Sequence, residues 1–404
     1  MALDLNRVAV QVDDMAASLK AEEEGWRRSL DHALSEIERH SLETDSLRAK
    51  IERSRGRTTW LVAGILGDPA GAFEPAPLPP DFMVLASDGS HIDVDRHSPA
   101  RCYLINIGSV ALRYGPDPNA VLRSQPTLYA NKDDLSITDP HTNDEHRIEG
   151  ALLGIKRAVA ECVALADLSE EVPPAVPAIA LLDGSLIMWG LTGHAYPEYV
   201  RRELLDSVFL PALERMREAN RRTGLAVASY ISFPRSTDVV NALRVAICPH
   251  DPADCDRHCP RSLPSAGREC DAVAGVRDRD LFHAFLKPNE RSATFESHSS
   301  VVEDYYGEHG VRFFYLRTDE EIARVEFPRW VEEEGKLDLL HSLVLDQCRR
   351  GQGYPVALSE SHEQAVVNGA DRELFQRLVE LALAGYRVPA TTSEKNRSKR
   401  TRWV

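Results

Sequence analysis

The chain has 404 residues, 43% hydrophobic and 27% charged, with a formal net charge of -15. This length allows one large or two ordinary domains with a substantial core, and the composition is that of a soluble globular protein. No apolar run approaches the roughly 20 residues that span a bilayer. The N-terminus Met1-Ala-Leu-Asp4 also lacks the basic-then-apolar form of a signal peptide, so a cytoplasmic protein with no membrane association is expected. In that setting the seven cysteines read as thiols or metal ligands rather than disulfides. The acidic balance excludes a surface coated for nucleic-acid binding, although it leaves room for a local basic groove.

Residues 1 to 56 carry Leu30, Ala33, Leu34, Ile37, Leu42, Leu47 and Ile51 at mixed three and four spacing among nearly balanced charges. The pattern predicts one or two amphipathic helices, a packing or dimerising arm over residues 1–66. A contact surface for another protein is the second reading. The stretch from Gly67 to Pro80 is too rich in proline and glycine for a regular element and marks a boundary.

Beyond it, the apolar run from Phe82 ends in Asp88-Gly89-Ser90, and the run from Ala178 ends in Asp183-Gly184-Ser185. Each places a carboxylate at an expected strand end where the backbone turns. One such tripeptide alone reads as a hairpin turn. Two after buried-type strands predict acids delivered to one end of a sheet, close enough to share a hard divalent cation through oxygen.

Between the two runs, residues 102–114 read as a second strand and 115–144 as a polar, turn-rich excursion. Glu145 to about Leu168 reads as a helix striped by Ile148, Leu152, Ile155, Val159 and Val163. Tyr196 to Thr223 follows as an amphipathic helix, Leu225 to Ser232 as a strand and Asp238 to Ile247 as a helix. This order predicts an α/β fold with a mixed sheet flanked by helices.

Residues 248–275 then interrupt the pattern with Cys248, Cys255, Cys259 and Cys270, joined by His250 and His258, in a stretch with little apolar content. Thiolates in a segment without its own core predict a structural Zn²⁺ or an iron–sulfur cluster. Cys102, Cys162 and Cys348 lie in apolar runs and read as small buried hydrophobes.

Val311 to Arg317 and Ile322 to Phe327 read as a hairpin, and Leu337 to Arg350 as a helix. A further strand is expected to end at Ser359 and to cap a helix that begins near Glu360, holding His362 in its first turn. Residues 393–404 form a basic tail containing Lys395, Arg397, Lys399 and Arg400, suited to phosphates or to an acidic partner.

The set formed by Asp88-Gly-Ser, Leu182-Asp183-Gly-Ser-Leu, Tyr230-Ile-Ser-Phe-Pro-Arg235 ahead of Asp238-Val-Val-Asn-Ala-Leu-Arg244, and Tyr354-Pro-Val-Ala-Leu-Ser-Glu-Ser-His362 resembles the NurA nucleases, which work with the hexameric ATPase HerA in DNA end processing. The resemblance covers roughly residues 80–392. It implies an RNase H-like core, Mn²⁺ or Mg²⁺ dependence, 5′ to 3′ exonuclease with single-strand endonuclease activity, and a homodimer acting on DNA in repair or phage defence. Asp88 and Asp183 match the family's metal-binding acids, His362 its late histidine, and Tyr354 its active-site tyrosine. Glu149 is taken as the helix-borne glutamate, with Glu161 on the same helix as the alternative. Arg235, Arg244 and the basic tail are candidates for contacts with the DNA backbone. The sequence departs from the family pattern at Phe233, where a lysine is expected. Two competing classes are a non-catalytic RNase H-like scaffold capping an ATPase ring and a small-molecule phosphodiesterase or phosphatase.

Overall fold

Strand β1, Phe82–Ile92, does not stop at Asp88 but runs on through Gly89 for a total of 11 residues in the computed structural model, which describes residues 4–94, 100–193, 195–259 and 267–387. It pairs antiparallel along its whole length with β2, Tyr103–Tyr114, and Asp88 sits opposite Gly108. The polar stretch expected to leave the sheet instead supplies β3, Asn119–Tyr129, antiparallel to β2. Most of β3 is exposed. The register of the neighbouring strand therefore holds it in place, and no apolar alternation in its own sequence announces it.

Helix α1, Ala151–Glu170, starts later than its periodicity suggests. Gly150 breaks the backbone with φ of 59°, and Glu145–Arg147 is a short strand instead. β4, Ala178–Asp183, follows and runs parallel to β1. Helix α2, Leu210–Thr223, then leads to β5, Leu225–Ile231, parallel to β4. Ahead of α2 the helix widens into a π-helical stretch over Arg202–Phe209. Pro211, at the start of α2, brings no N–H to an α-helical ladder there.

The strand order β5-β4-β1-β2-β3, with the β1-β2-β3 pairs antiparallel and the β1-β4-β5 pairs parallel, is a mixed sheet of RNase H-like order with helices packed on it. Val84, Leu85, Ala86, Ile179, Ala180 and Leu181 are completely buried. Helix α3, Leu337–Arg350, and helix α4, Val356–Ala365, complete this unit, which comprises residues 76–231, 300–311 and 326–404. The strand expected to end at Ser359 is replaced by α4 itself, which starts at Val356. Its helix begins directly after Pro355, a residue preorganised for a helix start, so His362 lies in the last turn and not the first.

The second compact unit comprises residues 1–75, 232–299 and 312–325. Its helices Leu5–Ser41 and Thr44–Ser54 bury Ala33, Ile37, Leu47 and Ile51 in a core shared with Val239, Leu243, Phe282 and Phe313. Leu5, Val10, Val12, Met15 and Leu19, nearer the N-terminus of the long helix, are exposed. Among the described residues, no helix is long and apolar enough to cross a membrane.

Candidate active site

Parallel register brings the two predicted acids together. Ser87 pairs with Leu182, so Asp88 and Asp183 occupy the next positions on adjacent strands, at the same end of the sheet. Beyond Asp183 the chain turns through Gly184, which has φ of 87°. Gly89 has a different task. Side chains alternate across a strand, so Gly89 faces opposite to Asp88, toward α1. A Cβ built at Gly89 would stand 2.7 Å from Glu161 Oε1. The missing side chain lets the Glu161 carboxylate approach the strand, where the charges of Asp88 and Asp183 both reach it.

Glu161 therefore supplies the helix-borne carboxylate. Glu149 precedes the helix cap and lines a separate cavity of about 380 Å³ with Lys132, Arg101 and Arg147. Of the two glutamates the sequence offers, the structure brings Glu161 to Gly89 and leaves Glu149 ahead of the helix start at Gly150. Glu161 is 7% exposed, and its carboxyl is pushed up to about 8, chiefly by burial. Arg157 opposes that shift and Asp88 and Asp183 add to it. Arg157 holds the local geometry, with Nη1 donating to Gly89 O at 2.8 Å and Nε 3.2 Å from Glu161 Oε1. Ser87 Oγ donates to the main-chain carbonyl of Glu161 at 2.8 Å.

Two further residues touch the acids. His362 Nδ1 lies 2.7 Å from Asp88 Oδ2, and its side chain is 61% exposed. Tyr354 Oη donates to Asp183 Oδ1 at 2.8 Å, and the Tyr354 ring meets Tyr230 edge-on at 5.5 Å. Asp183 is exposed as a residue, yet the protein around its carboxyl raises its pKa, with Asp88 adding to the rise and the Tyr354 hydrogen bond working against it. The Tyr354 hydroxyl is in turn driven far upward, by burial first and then by the charge of Asp183.

Residues without any chemical signature in the sequence place α4 against the sheet. A Cβ at Gly108 would overlap the main chain of Ser361 and Ala365, so only glycine opposite Asp88 admits the helix that carries His362. The C-terminal carbonyls of α4 are then tied down. Asn106 Nδ2 donates to Ala365 O at 2.9 Å and to Gln364 O at 3.2 Å, and Ser90 Oγ donates to Ala365 O at 2.5 Å.

The donor set is that of a hard divalent cation: three carboxylates whose charges act on one another, two of them resisting ionisation. One buried oxygen, Glu161 Oε1, accepts no hydrogen bond and has only the Arg157 ion pair at 3.2 Å. Among the described residues, no group of three or more His, Cys, Asp or Glu side chains is placed to hold a metal ion as the structure stands. Asp88, Asp183 and Glu161 are the residues that would hold the ion.

The expected DNA contacts fare differently. Arg235 is exposed. Arg244 is occupied within the second unit: its Nε donates to Cys270 O at 3.1 Å, its Nη2 to Asp271 Oδ1 at 2.8 Å, and its side chain is 12% exposed. Arg244 therefore braces its own unit and presents little of its side chain to a phosphate. Asp238 from the same stretch is likewise structural, accepting from Arg324 Nη1 at 2.8 Å. Phe233 is exposed with Arg279 stacked 3.5 Å over its ring. Lys395, Arg397, Lys399 and Arg400 lie outside the described residues.

An RNase H-like sheet whose two central parallel strands carry Asp88 and Asp183 side by side, with Glu161 from the helix packed on it, defines the chain as a nuclease. Within that class it belongs to the NurA family: the family model described as NurA domain matches residues 82–367, well over half the chain. No curated protein matches. Among solved structures, the chain is similar to Prototype Foamy Virus protease-reverse transcriptase at 13% identity, over 38% of this chain and 18% of that one, with a TM-score of 0.22. It is similar to LC9-RNase H1, a type 1 RNase H with the type 2 active-site motif, at 11% identity over 41% of this chain and 71% of that one, with a TM-score of 0.21. Thermus thermophilus RuvC is similar at 16% identity over 50% of this chain and 94% of that one, with a TM-score of 0.14. These likenesses are partial, and the fold rests on the strand order itself.

Proposed function

We propose that the protein is a divalent-metal-dependent deoxyribonuclease, a 5′ to 3′ exonuclease and single-strand endonuclease that works with a HerA-type hexameric ATPase in DNA end resection, repair or phage defence. The observation that carries this reading is the meeting of Asp88, Asp183 and Glu161, from two strands and a helix, with His362 and Tyr354 each bonded to one of the acids. Bound Mn²⁺ or Mg²⁺ supplies an activated water and charge stabilisation at phosphorus.

The chain's own residues orient and protonate. Donation from His362 Nδ1 to Asp88 fixes the ring and leaves Nε2 to accept a proton from water or return one to the leaving oxygen. Tyr354, held protonated by burial and by Asp183, keeps that carboxylate pointed into the cluster. The exposed His362 and the position of Asp183 at a strand end suit a polymer laid across an open surface. This favours oligonucleotides over the mononucleotides that a closed phosphatase pocket would take. A homodimer is supported by the exposed apolar residues of the N-terminal helix, and Arg235 with the basic tail is assigned to the DNA backbone, so binding weakens with salt.

A non-catalytic scaffold would have no need of three acids. End-labelled single-stranded and duplex DNA, incubated with Mn²⁺ or with EDTA, tests the reading. Cleavage that depends on Mn²⁺ and disappears in Asp88→Asn and Asp183→Asn is expected, and undiminished cleavage in the double variant overturns the assignment. Co-purification with a hexameric ATPase tests the partner.

A further inference from the structure

A second donor cluster lies in the other unit and takes no part in the chemistry above. Three separate elements deliver its thiols. Cys248 caps the end of helix Asp238–Ile247, its N–H donating to Arg244 O at 3.1 Å. Cys255 and Cys259 bracket one helical turn, with Cys259 N–H donating to Cys255 O at 2.9 Å. That four-residue spacing puts both side chains on one face. Cys270 is buried in the 3₁₀ turn Glu269–Val273. All four are free thiols and line one small cavity together with Trp60 and Arg244, although among the described residues no three donors are yet gathered as a metal-binding group, so the thiols would close in around an ion.

We propose that Cys248, Cys255, Cys259 and Cys270 hold a single structural Zn²⁺ ion in this cavity.

The space, about 10 Å³, is near the volume of one water-sized sphere. It has room for one ion. Four sulfurs are the donor set of structural zinc sites. His258 also borders the cavity, but its ring is stacked on His250 at 3.8 Å. Zinc with four thiolates carries two net negative charges, and two guanidinium groups that share Asp271 lie beside the thiols and offset part of that charge. Arg244 bonds the main chain at Cys270 and lies over the Trp60 ring at 3.8 Å, while Arg268 is held beside it by Asp271, with Nε donating to Asp271 Oδ2 at 3.0 Å. The ion would fasten a segment with little core of its own to the helix that starts at Asp238, so its binding energy is folding energy. The proposal stands whether or not the protein cleaves DNA.

Metal content of the full-length protein, purified without chelator, tests it. About one zinc per chain with no visible absorption is expected. Cys255→Ser/Cys259→Ser should lose that zinc, whereas Cys102→Ser and Asp88→Asn/Asp183→Asn should keep it, the last showing that the ion is not held by the catalytic acids. Should the double cysteine variant fail to fold, titrating the wild-type protein with a mercurial should release zinc to a chromogenic chelator in step with four thiols. Wild-type protein without zinc, zinc that survives loss of both cysteines, or iron with labile sulfide and a visible absorption band would each overturn the assignment.

Discussion

Replacing Glu161 with Gln is expected to stabilise the metal-free protein at alkaline pH while abolishing cleavage. The buried Glu161 carboxyl is pushed up to about 8 from an ordinary value of 4.5. Below pH 4.5 the group is protonated in both folded and unfolded chains and contributes no difference. Between pH 4.5 and about 8 the folded chain keeps a proton that the unfolded chain has released, so stability falls as pH rises. Above about 8 the folded protein bears the full burden of a buried charge. At 1.36 kcal/mol per pKa unit this amounts to roughly 5 kcal/mol. The glutamine side chain has nearly the same shape and no charge to bury. In urea unfolding with EDTA, wild type and variant should agree near pH 4, and the variant should be the more stable by several kcal/mol at pH 9. Added Mn²⁺ should then stabilise the wild type far more than the variant, because binding to the folded state alone shifts unfolding. Parallel stability curves from pH 4 to 9, or a variant less stable at pH 9, would refute the reasoning.

The two glycines near Asp88 should respond differently to Ala. At Gly89 the new Cβ meets side chains, Glu161 and Arg157, that can shift without moving the main chain. Unfolding free energy should drop by about 1 kcal/mol, while kcat falls about 100-fold as the carboxylate is displaced by an ångström or so. At Gly108 the obstacle is the main chain of α4, so Gly108→Ala should cost about 3 kcal/mol in chemical denaturation, and a smaller loss than that of Gly89→Ala would count against the packing described. His362→Ala should lower kcat by about 10²–10⁴-fold with unchanged far-UV circular dichroism. Tyr354→Phe removes the hydrogen bond that opposes the rise of Asp183, so the acidic limb of the pH–rate profile should move to higher pH; an unmoved limb would remove Tyr354 from the site.

Two identical tripeptides show what the sequence made legible and what it hid. An apolar run followed by Asp-Gly-Ser marks a carboxylate on a buried strand, at its end for Asp183 but four residues inside it for Asp88, and the parallel register of β1 and β4 sets Asp88 beside Asp183. The local signal says nothing of why each glycine is there. Gly184 turns the chain with a left-handed backbone, whereas Gly89 stays within the strand and makes room for a carboxylate from the helix on the other face. That difference depends on α1, a helix whose apolar stripe was readable and whose start was not, because Gly150 overrides the periodicity. Hence Glu149 could look like the helical acid when the strand admits Glu161. The same logic governs His362. Its chemistry was visible, but its place in the last turn of α4 follows from Pro355 starting the helix and from Gly108, Asn106 and Ser90 receiving its far end. None of those three has a signature of its own in the sequence. Residue types that do chemistry can thus be read from the chain, while the small residues that allow them to meet emerge only when strands and helices are packed. The reactivity of this site accordingly depends as much on two missing side chains, at 89 and 108, as on the acids themselves.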